Sequence, residues 1–155
     1  MLNEQGATVL GRLSHILLYL PNPPNLSNGD DAVSIIQANG NHWRKILSIY
    51  AKLVVKEGRW QDYRDGDLLR EQAISFHDTL IAPNTGEYCV HWVAGKASWE
   101  RLGISLTGFT ALDAEERAWY KGNILLTPYP DYRQFPNRLI EEIRVWLAHP
   151  DRAVG

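Results

Sequence analysis

Two loops carry the side chains best suited to chemistry. In Ile16 to Pro24, ILLYLPNPP, an apolar run stops abruptly at a loop of three prolines and one asparagine, Asn22. A run this short and sharply ended reads as a buried strand. Proline fixes φ and offers no N–H, so the loop cannot continue a sheet ladder, and the Asn22 amide is expected at the carboxyl end of the strand. The second stretch, residues 124–135, is ILLTPYPDYRQF: another apolar run, broken at a proline loop that carries Thr127, Tyr129, Asp131, Tyr132 and Arg133. In a parallel sheet both loops leave the same edge, which is where ligands sit in open α/β folds. An amide, a phenol, a carboxylate and a guanidinium could then face one cleft.

The remaining elements have to position those loops. Residues 1–14 read as a lead-in from which Val9, Leu10 and Leu13 pack on the core, and strand one spans about His15 to Leu20. Residues 25–40, rich in Asn, Asp and Gly at both ends, read as a long, partly ordered functional loop. Asn41 is the expected N-cap of a helix ending before Gly58. Its residues Trp43, Ile46, Leu47, Tyr50, Leu53 and Val54 recur at helical spacing, leaving Arg44, Lys45, Lys52 and Lys56 largely outside that face. A second helix is expected from Asp67 through Leu80, stopped by Pro83, although a further strand could lie near Ile74 or Leu80. After a turn at Asn84-Thr85-Gly86, YCVHWV (Tyr88 to Val93) reads as a strand, and Ala94-Gly95-Lys96 opens a short helix, as in parallel α/β units. Residues 111–122, ALDAEERAWYKG, read as another helix, NILLTPYP as the third strand, and Pro136 to His149 as a closing amphipathic helix ended by Pro150. Strands separated by helices predict a three-layer α/β/α domain with a short, mostly parallel central sheet.

Composition bounds the function. The 155 residues predict a single α/β domain over 1–155 with a real core. A hydrophobic content of 45%, a charged content of 22% and a formal net charge of −2 describe an ordinary globular chain with no global attraction for nucleic acid or anionic membrane. Any such binding must come from a local patch. No apolar run approaches the roughly 18 residues of a membrane span, and the amino terminus lacks the apolar core of a signal peptide. The single cysteine, Cys89, excludes an intrachain disulfide and favours a reducing compartment. A cytoplasmic protein without membrane contact is the expectation.

Several chemistries lack support. The five histidines show no i, i+4 pair and no neighbouring carboxylate cluster, so no metal is expected. VAGKAS is not a phosphate-binding loop of the Walker type, since Val90 stands where its first glycine would be. Cys89 lies in an apolar strand and reads as a small buried hydrophobe. No G-x-S-x-G elbow is present. Trp60, Tyr63 and Tyr132, which fall in polar stretches, are the aromatic residues best suited to stacking or partner contact.

Taken in order, the strand with its Asn-Pro loop, GNHW at a helix start, the strand running into VAGKASWE and TPYPDYRQFP before the last helix resemble the uracil-DNA glycosylase superfamily, nearest its mismatch-specific, thymine-DNA-glycosylase-like branch. The resemblance covers residues 22–138. It implies a DNA N-glycosylase-type hydrolase that uses water and no cofactor, with Asn22 as the catalytic residue. An amide is no base near neutral pH, so catalysis would rest on positioning the water and stabilising the departing base anion. Pro23, Asn41, His42, Trp43 and Lys96 would stand at substrate- or nucleic-acid-binding positions. Thr127, Tyr129, Asp131, Tyr132 and Arg133 would form the loop that clamps DNA beside a flipped nucleotide. Two departures stand out: Pro24 replaces a glycine of the family loop, and Tyr129 to Tyr132 replace small serines.

The implied partner is DNA, a nucleobase or a nucleotide. A non-catalytic relative using the same cleft to bind a nucleotide, nucleic acid or protein is the alternative. Under a third reading, an unrelated α/β domain, the two loops would lie at opposite ends or edges of the sheet.

Overall fold

A computed structural model describes residues 2–3, 6–7, 9–12, 15–81 and 89–148. Among these the chain forms, in order, β1 (Leu2–Asn3), β2 (Gly6–Ala7), β3 (Val9–Gly11), β4 (Ile16–Tyr19), α1 (Ala32–Asn39), α2 (Asn41–Val54), α3 (Trp60–Gly66), α4 (Leu68–Glu71), β5 (Ala73–Ser75), β6 (Val90–Ala94), α5 (Lys96–Arg101), β7 (Thr110–Ala111), β8 (Trp119–Lys121), β9 (Ile124–Thr127) and α6 (Asn137–Leu147). The fold is mixed α/β.

Seven strands form one sheet in the order β3-β5-β4-β6-β9-β8-β7, and β1 pairs separately with β2. The central four, β5, β4, β6 and β9, are mutually parallel. β3 is antiparallel to β5 at one side, and β8 and β7 run antiparallel beyond β9 at the other. Buried parallel strands should be apolar throughout, and every residue of β4, β5 and β6 is buried.

Alternation along those strands divides the core into two clusters. Leu18, Ile74, Trp92 and Leu125 pack in one cluster with Ile35 of α1, Ile46 and Leu47 of α2, and Leu139 and Ile143 of α6. Leu17, Tyr19, Ala73, Val93 and Leu126 form the other, against which Trp99, Leu102 and Phe109 pack. Each fully buried Leu or Ile contributes about 1.5–3 kcal/mol relative to exposure. The Tyr50 hydroxyl on α2 lies 2.9 Å from the Ile16 carbonyl and 2.8 Å from the Ala73 carbonyl, tying the helix to β4 and β5 at once.

Several segments differ from the sequence expectation: residues 60–66, in a polar turn-like stretch, form α3, and part of the lead-in forms β3. Residues 32–39 are helical because Asp31 caps them, its Oδ1 accepting the Ser34 N–H at 2.9 Å and its Oδ2 the Ser34 hydroxyl at 2.8 Å. Gly40, at φ 75°, ends α1 and starts α2, so Asn41 is the first helical residue rather than the cap. The helix expected from Asp67 to Leu80 is replaced by the short α4 and by β5, which supplies the parallel strand between β3 and β4. The helix expected over 111–122 is a strand–turn–strand: buried Asp113 accepts the N–H groups of Arg117 at 2.8 Å and Ala118 at 2.9 Å, and Glu116 takes φ 55°. Local side-chain capture of the backbone defeats the helix there. The expected Pro83 helix stop, the turn at Asn84 to Gly86, Tyr88 at the start of the second strand, Leu13, and the residues from His149 onward lie outside the described residues.

No helix among the described residues is long and apolar enough to cross a membrane.

Candidate functional site

Because β4, β6 and β9 are parallel neighbours, the loops that follow them leave one edge of the sheet. The next strand after β4 is β5 on one side, whereas β6 lies on the other. Strand order therefore reverses at β4, between the loops that follow β4 and β6, the kind of position at which ligands bind in open α/β sheets. The expectation that the Asn22 loop and the Tyr129 to Arg133 loop share an edge is met by this geometry.

The loops after β6 and β9 interlock. Gly95 turns the chain from β6 into α5 at φ 85°, and its N–H donates to the Thr127 carbonyl at 2.8 Å. Tyr129 fills the space a side chain would need: a Cβ on Gly95 would stand 3.2 Å from Tyr129 Cδ1 and 3.4 Å from its Cβ. Thr127 is buried, and its Oγ1 accepts the indole N–H of Trp92 at 2.7 Å and lies 2.8 Å from the Pro128 carbonyl. Burial and then the Asp131 charge push the Tyr129 phenol above its ordinary pKa, so it stays protonated.

Tyr129 also reaches α2. Its hydroxyl shares a hydrogen bond with His42 Nε2 at 2.8 Å, with ring centroids 5.7 Å apart. The helix-start motif and the last-strand loop are thereby brought together. Within that motif Asn41 is exposed and accepts from Arg44 at 2.7 Å, whereas Trp43 is only 4% exposed and packs beside Phe76.

Asp131 organises its own loop, its Oδ1 accepting the Arg133 N–H at 2.9 Å and its carbonyl the N–H groups of Gln134 and Phe135. Phe135 then packs edge-on to Trp92, with ring centroids 6.0 Å apart. Tyr132 and Arg133 stay exposed, and Arg133 has no ion pair among the described residues. Asn22 and Pro23 are exposed and Pro24 half-buried; the Asn22 amide makes no hydrogen bond with a described residue.

A cavity of about 560 Å³ opens beside Tyr129, lined by Lys96, Trp99, Trp119, Glu116, Arg117 and Gln134 among others. It joins the expected residues Lys96 and Tyr129 but does not include Asn22. Its walls from the β8 region escaped the sequence reading, which placed them on a helix. Gly95 after an apolar strand was the legible signal for its floor. A second cavity of about 350 Å³ lies against β3 and the start of α1, where Arg12, Arg64 and Arg70 are balanced by Asp30, Asp31 and Asp65.

A buried pair in the second core cluster was also not foreseen. Tyr19 Oη accepts the Ile81 N–H at 2.8 Å and shares a hydrogen bond with His91 Nδ1 at 2.8 Å. Burial pushes Tyr19 up to about 12 and lowers His91, so both are neutral. Burial likewise moves the Cys89 thiol up to about 11, which leaves it un-ionised and a poor nucleophile. No group of three or more His, Cys, Asp or Glu among the described residues could hold a metal ion.

Among known proteins, the family described as "Family of unknown function (DUF6942)" matches residues 10–148. No curated protein and no solved structure matches the chain.

Proposed function

The chain belongs to that family of unknown function, and we propose, from its loops and sheet order, that it is a uracil-DNA-glycosylase-like protein: a three-layer α/β/α domain that hydrolyses the N-glycosidic bond of a damaged or mismatched base without a cofactor. The observation that supports this reading is the emergence of the Asn22, Gly95–Lys96 and Tyr129–Arg133 loops at one sheet edge, beside the point where strand order reverses. Asn22, whose amide is not spent on a described residue, holds a water against the sugar carbon. The water oxygen bonds to that carbon as the carbon–nitrogen bond breaks, the base leaves as an anion with the bonding electron pair, and the proton lost by the attacking water passes through solvent to the departed base, giving the sugar hydroxyl and the neutral base. Lys96, exposed and without an ion pair among the described residues, balances the charge that develops on the base.

A second reading is favoured by Tyr129. Its ring is seated on Gly95 and its hydroxyl is tied to His42, next to a cavity that Asn22 does not line. On this reading the chain is a non-catalytic relative that binds a nucleobase or nucleotide in that cavity. Base release from modified oligonucleotides, run beside equilibrium titration with nucleotides, separates the two: release supports hydrolysis, and saturable nucleotide binding without release supports the binding role.

A further inference from the structure

The exposed side of α2 carries only one sign of charge. From Asn41 to Val54 it contains Arg44, Lys45 and Lys52 and no carboxylate, in a chain whose net charge is −2. Neither Lys45 nor Lys52 forms an ion pair among the described residues. Both are instead turned to one ring: Lys45 Nζ lies 5.7 Å and Lys52 Nζ 5.6 Å from the centroid of Tyr132, which remains 47% exposed. The same Lys52 ammonium lies 4.9 Å from the ring of Trp60 on α3. Two aromatic residues, 60 and 132, distant in sequence, thus converge on one cation. Past Trp60 the charge is neutralised: Arg64, 5.4 Å from that ring, is paired with Asp65 at 2.8 Å. Tyr63 is spent internally, its hydroxyl donating to Glu71 at 2.9 Å.

Unpaired cations alternating with partly exposed aromatic faces fit a strand whose own charges and rings alternate. We propose that Lys45, Tyr132, Lys52 and Trp60 form a docking strip for single-stranded nucleic acid, phosphates meeting the two ammonium groups and a base stacking on Tyr132. The strip is continuous with the candidate site, because Tyr132 belongs to the loop that Tyr129 fastens to His42 at the start of α2. It reads charge and stacking rather than base edges, so binding is tolerant of sequence. The inference rests on the proposed function only for its class of partner. Its test reads binding and not base release, so either can fail while the other stands.

The test is fluorescence-anisotropy titration of the full chain with labelled oligothymidylate, oligouridylate and a DNA duplex across a salt series. Single strands are expected to bind more tightly than the duplex, and the two single-stranded arms tell a DNA from an RNA partner. The double variant K45Q/K52Q should weaken binding at least tenfold and reduce the log–log salt slope by about 1.4, at about 0.7 for each phosphate left without its ammonium. Tyr132→Leu should weaken it roughly ten- to hundredfold with the slope kept, whereas Tyr132→Phe, which retains the ring, should bind like the wild type. Lys121→Gln, which removes one positive charge from β8, away from the strip, should have little effect, and less than either Lys45→Gln or Lys52→Gln alone. Circular dichroism confirms that each variant is folded. The proposal is overturned if neither single strand binds at low salt, if the duplex binds as tightly, or if K121Q costs as much as the double variant. Polyglutamate binding as tightly as the oligonucleotides, with Tyr132→Leu silent, would also overturn it.

Discussion

His42 Nε2 and Tyr129 Oη lie 2.8 Å apart, joining the first turn of α2 to the loop that leaves β9. The pair is 87 residues apart in sequence and lies at the carboxyl edge of the sheet. The polar bond is partly exposed, so its geometry matters more than its energy.

Tyr129→Phe should therefore cost no more than about 1 kcal/mol, since His42 can turn to water. Gly95→Ala should cost more, about 1–3 kcal/mol, because alanine is strained at φ 85° and its Cβ presses on the Tyr129 ring. Urea melts compare the two. Equal losses would mean that Gly95 is not the seat of Tyr129.

Beneath that loop, Thr127→Val keeps the shape but orphans the Trp92 indole N–H in the core. A loss of about 1–3 kcal/mol is expected, with Thr127→Ser close to wild type. If valine melts like threonine, the hydrogen bond does not hold β6 and β9 in register.

The parts of the fold that announced themselves were those with a long periodic face or an unbroken apolar run. α2, α6, β4, β6 and β9 lie within a few residues of where pattern alone sets them. β5 was legible only as an alternative, a further strand near Ile74 set beside the expected helix, because three residues, Ala73, Ile74 and Ser75, show no period and acquire strand character by pairing with β3 and β4. The 111–122 segment misled for a different reason: its composition favours helix, while buried Asp113 takes the N–H groups a helix would use. The proline-broken loops after β4 and β9 leave one sheet edge, as their place after parallel strands implied. The Tyr129 contacts with His42 and Gly95 were not legible, since they depend on how strands distant in sequence are ordered.

Acid should destabilise the fold through His91. Burial lowers its pKa in the native state, so the unfolded chain takes up the proton first as pH falls. Stability is complete above the unfolded value of about 6.5 and declines between that value and the lowered native one. The hydrogen bond that His91 Nδ1 shares with the Tyr19 hydroxyl at 2.8 Å holds the ring in place within the core. Urea midpoints measured from pH 5 to 8 should fall on the acid side in the wild type and less steeply in His91→Phe. The same dependence in both would assign it to other groups.

The central claim concerns Asn22 and bond cleavage. Its most direct test is base release from oligonucleotides carrying uracil, thymine or hypoxanthine opposite guanine, and uracil in a single strand, read by alkaline strand scission with wild type beside Asn22→Ala. The account predicts release by the wild type that is lost in Asn22→Ala while circular dichroism and melting remain unchanged. Release that survives in Asn22→Ala, or none from any substrate by folded wild type, would contradict it.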